Sequence, residues 1–200
     1  MTSPVAIIDS GGANIASLLY AFERLNAPAV LTTDADTIRS AERVILPGVG
    51  AAGDAMQRLR DANLVDVIRG LKQPVLGVCL GMQLMVDASE EEDVECLGII
   101  PGTAAMLPAS TDHPVPNMGW CAIDKTAEHP SLETIDDGSY FYFVHSYAVP
   151  VSDYTVATAT HVDPFAAVIA KDNFWAAQFH PERSSTAGQK LLARFLKYTA

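Results

Sequence analysis

Four short runs early in the chain, residues 4–9, 29–32, 43–46 and 74–78, are apolar almost throughout rather than at alternate positions. A strand that is apolar on both faces must be covered on both faces, which is the environment of a parallel sheet flanked by helices. The segments between them have helical spacing. Residues 14–26 gather Leu18, Leu19, Phe22 and Leu25 on one side. Residues 51–71 do the same with Met56, Leu59, Leu64, Val67, Ile68 and Leu71, and residues 80–88 read as a further helix with acids at 90–93 beyond it. This alternation predicts an α/β fold, an open and mostly parallel sheet with helices on both faces.

The second half changes character. Residues 97–107, 119–123, 139–148, 154–161, 165–170 and 174–179 are β-like, closely spaced and separated by turns such as Pro101-Gly102 and Asp136-Asp137-Gly138. They predict mostly antiparallel additions to one edge of the sheet. Residues 186–198 form a last helix, with Leu191, Leu192, Phe195 and Leu196 facing inward. With no repeat, low-complexity tract or linker, residues 1–200 read as a single domain.

Thirteen basic and twenty-four acidic residues give a net charge of −11. That balance argues against a nucleic acid or an anionic membrane surface as partner. The three cysteines, Cys79, Cys96 and Cys121, form no paired framework, and a reducing cytoplasm is the expected setting. The N-terminus lacks a basic leader, and the longest apolar stretch, residues 74–86, is too short to span a bilayer.

The chemistry begins at Gly77-Val78-Cys79-Leu80-Gly81, where an apolar run meets a helix. A sharp strand-to-helix turn pushes one side chain out of the sheet's carboxyl edge, and it needs small residues two positions to either side. The helix N-terminus favours a thiolate over a thiol of ordinary pKa, about 8.5, and the Leu80 amide is placed to face a developing oxyanion. Taken alone, the motif also fits a small buried hydrophobe between two packing glycines. Cys96 and Cys121 lack this context and read as core or partly buried filler; neither shows metal-ligand spacing with histidine.

A base and its orienter are available in Gln178-Phe179-His180-Pro181-Glu182, which follows another apolar run. A carboxylate two residues from an imidazole can fix its tautomer and stabilise its charged form. His145 ends a strongly β run and could line a pocket, whereas His113, His129 and His161 fall in or near polar loops where solvation is expected. Pro47-Gly48-Val49-Gly50 ends the third apolar run, and its peptide N–H groups could face an oxyanion. Ser10-Gly11-Gly12-Ala13-Asn14 does not match a dinucleotide fingerprint and reads as a tight strand-to-helix turn.

Together with Asn117-Met118-Gly119-Trp120 and Tyr142-Phe143-Val144-His145-Ser146-Tyr147, these stretches resemble the class I (triad-type) glutamine amidotransferases, in particular their histidine-pathway branch. The resemblance implies a flavodoxin-like fold, L-glutamine as substrate, no cofactor and no metal. It implies Cys79 as nucleophile, His180 as proton carrier and Glu182 as its holder. Val49 and Leu80 would supply oxyanion amides, and Gly48, Gln83, Ser146 and Tyr147 would bind substrate. It further implies a heterodimer with a (β/α)₈ cyclase, with Asn14, Asn117, Met118 and Trp120 at the interface and the Gly48–Val49 peptide as a switch. The chain departs from the family's pattern at Ser10, at Ala51-Ala52 and at Pro116. Other readings are a glutaminase of anthranilate or pyridoxal phosphate synthesis, a γ-glutamyl hydrolase that needs no partner, and a non-catalytic subunit of the same fold.

Overall fold

The computed structural model describes residues 4–11 and 15–198. In the first half, strands β1 (Val5–Ile8), β2 (Ala29–Thr32), β3 (Val44–Gly48) and β4 (Val75–Cys79) alternate with helices α1 (Ile15–Arg24), α2 (Ala35–Ser40), α3 (Ala52–Asp61), α4 (Val65–Arg69) and α5 (Leu80–Met85). The second half adds β5 (Ala88–Ser89), β6 (Val94–Glu95), β7 (Thr103–Met106), β8 (Asn117–Ala122), β9 (Asp124–Lys125), β10 (Tyr140–His145), β11 (Tyr147–Ala148), β12 (Thr155–Thr160), β13 (Pro164–Lys171), β14 (Phe174–Ala177) and helix α6 (Ser185–Phe195).

The main sheet runs β2-β1-β3-β4-β14-β13-β12-β9. Its first five strands are parallel, in the flavodoxin order. Its last three are antiparallel, as the turn-rich second half leads one to expect. The continuous apolar runs become strands buried on both sides. Ile7, Leu76 and Val78 join Phe22, Trp175 and Phe195 in one core, while Ile8, Leu46 and Val75 join Ile38, Met56 and Leu80 in the other. Helices α1 and α6 thus cover one face and α2 to α5 the other.

Several expectations are corrected. Residues 51–71 form two helices, because Asn63 takes a left-handed conformation with φ 55°. The Leu64 N–H then bonds back to the Leu59 carbonyl and the Asn63 N–H to that of Arg60, which closes α3 in a Schellman turn. Helix α2 was not expected; Asp34 starts it by accepting from the Thr37 N–H at 2.8 Å. Helix α5 stops at Met85, short of residue 88, and only Thr103–Met106 of the run 97–107 is a strand. The later strands do not all join one edge. Strand β14 inserts parallel to β4, β8 and β10 form their own antiparallel ribbon, and β5, β6, β7 and β11 make a separate small sheet.

Candidate active site

Strands β3 and β4 pair in register, so that Gly48 lies beside Cys79 at the carboxyl edge of the sheet. Open α/β sheets place ligands at this edge. Cys79 turns the chain from β4 directly into α5 with φ 54° and ψ −111°, a conformation that non-glycine residues rarely hold. Its flanking glycines make the turn possible. A Cβ on Gly77 would lie 2.8 Å from the Ala176 Cβ, and one on Gly81 would overlap the Leu46 carbonyl oxygen.

His180 follows β14 on the neighbouring strand. Its N–H donates to the Tyr142 carbonyl at 2.9 Å. Its own carbonyl accepts from the Ser184 hydroxyl at 2.6 Å, and that hydroxyl accepts from the Tyr142 N–H at 2.9 Å. The imidazole Nδ1 bonds to Glu182 Oε1 at 2.8 Å, with both side chains buried. Among the described residues no hydrogen bond of ordinary length reaches Nε2. Burial opposes a charged ring here, but the Cys79 sulfur and the Glu182 carboxylate outweigh it and raise the His180 pKa to about 10. The Cys79 sulfur and the His180 imidazole therefore act on one another. The other thiols differ: burial pushes Cys96 up to about 11 and Cys121 upward, which makes them poor nucleophiles.

Cys79 and His180 open onto a cavity of about 290 Å³ that is also lined by Val49, Leu80, Gln83 and the segment 144–147. Val49, Leu80, Gln83, Ser146 and Tyr147, expected to serve the substrate, are thus brought to one space. Gly48 lines a smaller cleft with Glu182 and with Val49 and His180, which the two spaces share. Gln83 is not free in the cavity, since its Nε2 donates to the Tyr147 carbonyl at 2.8 Å and to Gln178 Oε1 at 3.1 Å.

Residues 117–120 divide by strand alternation. Met118 and Trp120 are 64% and 51% exposed, so Trp120 is not a core residue. Asn117 turns inward, away from the surface where an interface residue was expected. Its amide donates to His145 Nε2 at 3.2 Å, while His145 Nδ1 donates to the Tyr147 carbonyl at 2.9 Å. Burial, against the raising effect of that carbonyl, pushes His145 down to about 4, so its ring is neutral. Asn14 lies outside the described residues. His161, expected in solvent, is buried, edge-on to His113.

Three contributors were not anticipated. Gln178 is fully buried with Nε2 directed at Cys79 Sγ, 3.8 Å away. Glu91 lines the cavity and accepts the Ala52 N–H at 2.8 Å, capping α3 just after the Gly48–Gly50 loop. Ser10 donates to the Pro47 carbonyl at 2.8 Å and anchors the start of that loop. A polar residue inside or beside an apolar run was the available signal for Gln178 and Ser10; Glu91 was hidden among neighbouring acids. Among the described residues, no group of three or more His, Cys, Asp or Glu is placed to hold a metal ion.

A sequence model of the class-I glutamine amidotransferases matches residues 6–198. The chain belongs to that family. Amidotransferase relatives include the imidazole glycerol phosphate synthase subunit HisH of Shewanella sediminis, 51% identical over 95% of this chain and 88% of its own length. The subunit of the same name from Idiomarina loihiensis is 49% identical over 98% of each. Among solved structures, PurLQS from Thermotoga maritima superposes with a TM-score of 0.74 at 17% identity, covering 99% of both chains. A glutamine amidotransferase from the same organism gives 0.69 at 14% identity, over 98% of this chain and 97% of its own. At those identities the two structures establish the amidotransferase fold alone.

Proposed function

We infer that this chain is the glutaminase subunit of an imidazole glycerol phosphate synthase, releasing ammonia from L-glutamine for L-histidine biosynthesis. The observation that carries this reading is the near-full-length identity, about one residue in two, to subunits of that name. Residues 1–200 act as one amidotransferase domain.

The cavity shared by Cys79 and His180, and the His180–Glu182 bond, support the following chemistry. Cys79 Sγ, its thiol proton already passed to His180 Nε2, attacks the side-chain carbonyl carbon of glutamine. The carbonyl electron pair moves onto oxygen, where the Val49 and Leu80 amides stabilise it. Collapse of this adduct breaks the C–N bond, and His180 gives its proton to the departing nitrogen, forming ammonia and a γ-glutamyl thioester. Water, deprotonated by His180, then attacks the thioester, and glutamate leaves as the sulfur regains its electron pair and proton. Glu182 keeps the Nδ1 proton in place throughout. Gly48, Gln83, Ser146 and Tyr147 position the substrate, and Glu91 offers a carboxylate complementary to its α-ammonium.

Ammonia passes to a (β/α)₈ cyclase subunit, which joins it to a ribulosyl-formimino nucleotide to give imidazole glycerol phosphate and aminoimidazole carboxamide ribotide. The outward face of the β8–β10 ribbon suits that partner. Met118, Trp120 and Tyr140 are exposed there, an aromatic-rich patch of the kind that marks interfaces. The cytoplasm is the fitting compartment for three free cysteines. Among the described residues no helix is long and apolar enough to cross a membrane.

The test is glutamine hydrolysis by the chain alone, with the cyclase, and with the cyclase plus its nucleotide ligand. Strong activation only in the full mixture is expected. Full activity of the isolated chain would instead identify a partner-independent γ-glutamyl hydrolase.

A further inference from the structure

A buried primary amide needs partners for two N–H groups and for its carbonyl oxygen. Gln178 follows the end of β14 with none of its surface exposed and with Ala177 and Phe179 on either side. Its backbone N–H is taken by the Ala167 carbonyl at 2.9 Å. The orientation of its side-chain amide is fixed from outside. The Tyr147 carbonyl can only accept, so the Gln83 group 2.8 Å from it is the nitrogen. That nitrogen gives its second hydrogen to Gln178 at 3.1 Å, so the atom receiving it is Oε1. The end of Gln178 left facing Cys79 Sγ, at 3.8 Å, is therefore the N–H donor.

We propose that Gln178 is a positioning residue for the nucleophile, donating an N–H···S hydrogen bond that aims the Cys79 sulfur and stabilises its thiolate against its thiol. The proposal rests on Cys79 being the nucleophile of the function inferred above. The sulfur also has an acceptor beside it, the Val144 carbonyl at 3.8 Å, which favours the protonated form. Gln178 opposes it with a donor. A bond to an anionic acceptor is stronger than one to a neutral acceptor, so the contact helps thiolate more than thiol or thioester. The titratable groups around the sulfur are His180 with Glu182 beyond β14, and His145 and Glu91, which line the cavity from β10 and from the turn after β5. Gln178 is not among the cavity's lining residues and does not titrate, so it shifts the midpoint of Cys79 ionisation without adding a step.

The midpoint is read in the full chain from the pH dependence of iodoacetamide alkylation, followed on the Cys79 peptide, and from the ultraviolet absorbance of the thiolate. Gln178→Met is expected to raise it by about one pH unit, equivalent to roughly tenfold slower alkylation below the midpoint. Gln178→Glu, which keeps the shape but loses the donor, raises it further. Gln83→Met unties the amide and gives an intermediate rise. With glutamine as substrate and the synthase partner present, Gln178→Met lowers kcat more than it raises KM. A purely structural role would lower the melting temperature and leave the midpoint where it was, and that result overturns the proposal. Should Gln178→Met fail to fold, an unchanged midpoint in Gln83→Met overturns it equally. Because alkylation needs no glutamine, a shifted midpoint without glutamine turnover counts against the inferred function and not against the hydrogen bond.

Discussion

A left-handed backbone at Cys79 costs of order 1–3 kcal/mol, and it persists because its surroundings leave no alternative. Gly81 is the tightest of those constraints, since any Cβ there runs into the Leu46 carbonyl. Gly81→Ala should therefore lose at least about 1–3 kcal/mol in urea unfolding and also slow alkylation of Cys79, because β3 and the elbow must separate. The neighbouring ion pair gives a second expectation. His180 has its pKa raised to about 10 in the folded chain against an ordinary 6.5. The folded state thus holds a proton that the unfolded state gives up between those values. The resulting stabilisation is full below about 6.5 and is lost as pH rises toward 10. Glu182→Gln keeps an acceptor for Nδ1 but removes the charge. Its stability deficit relative to the parent chain should be largest below pH 6.5 and shrink through this window; a deficit that grows with pH would contradict the assignment. Cys79, His180 and Glu182 were legible because their types and their glycine or proline neighbours are unusual together. Gln178 carries no such signal, because an amide in an apolar run looks like a tolerated strand residue until its buried partners are seen.

At the scale of elements, periodicity reported burial correctly and continuity poorly. Met56, Leu59, Leu64, Val67 and Ile68 all reach the same core, so the apolar pattern runs on across a chain that has in fact turned. The stop signal was Asn63, which takes the left-handed position usually given to glycine. Replacing it tests that account. Asn63→Gly should be nearly neutral, whereas Asn63→Val should cost about 1–2 kcal/mol by urea unfolding, because a β-branched residue resists positive φ. Equal stability of the two variants would mean that the turn is held by the packing of α3 and α4 alone. Helix α2 is hidden in the sequence for the opposite reason. Its Asp34 cap is a clear start signal, but six residues with one buried side chain, Ile38, carry too little periodicity to be seen.

The molecule as a whole joins two architectures, and the join could not be read from spacing. Short strands look alike in sequence whether they extend the main sheet or leave it, and only pairing separates the β8–β10 ribbon from β12–β13. That ribbon links the outside to the cavity beside Cys79. One face presents Met118, Trp120 and Tyr140, while Phe141, Phe143 and His145 on the other are buried. With the proposed cyclase docked on this face, Trp120→Ala should weaken the complex by about thirtyfold, the effect of a hot spot near 2 kcal/mol, and leave the melting temperature of the free chain almost unchanged. Calorimetric titration against the cyclase measures the first quantity, and unaltered affinity would place the partner elsewhere. His145 supplies the internal counterpart. Wedged against Phe143 and Phe165, and bonded to both Asn117 and Tyr147, it is held neutral with its pKa pushed down to about 4. Between 6.5 and 4 the unfolded chain accepts a proton that the folded chain refuses. Its contribution to stability is therefore complete above about 6.5 and falls as pH drops toward 4, at up to ~1.4 kcal/mol per pH unit for one proton. Urea unfolding of the parent and of His145→Gln at a series of pH values should show the variant less stable at neutral pH but with a shallower acid slope. Parallel slopes would mean that His145 is protonated as readily in the folded ribbon as in the open chain.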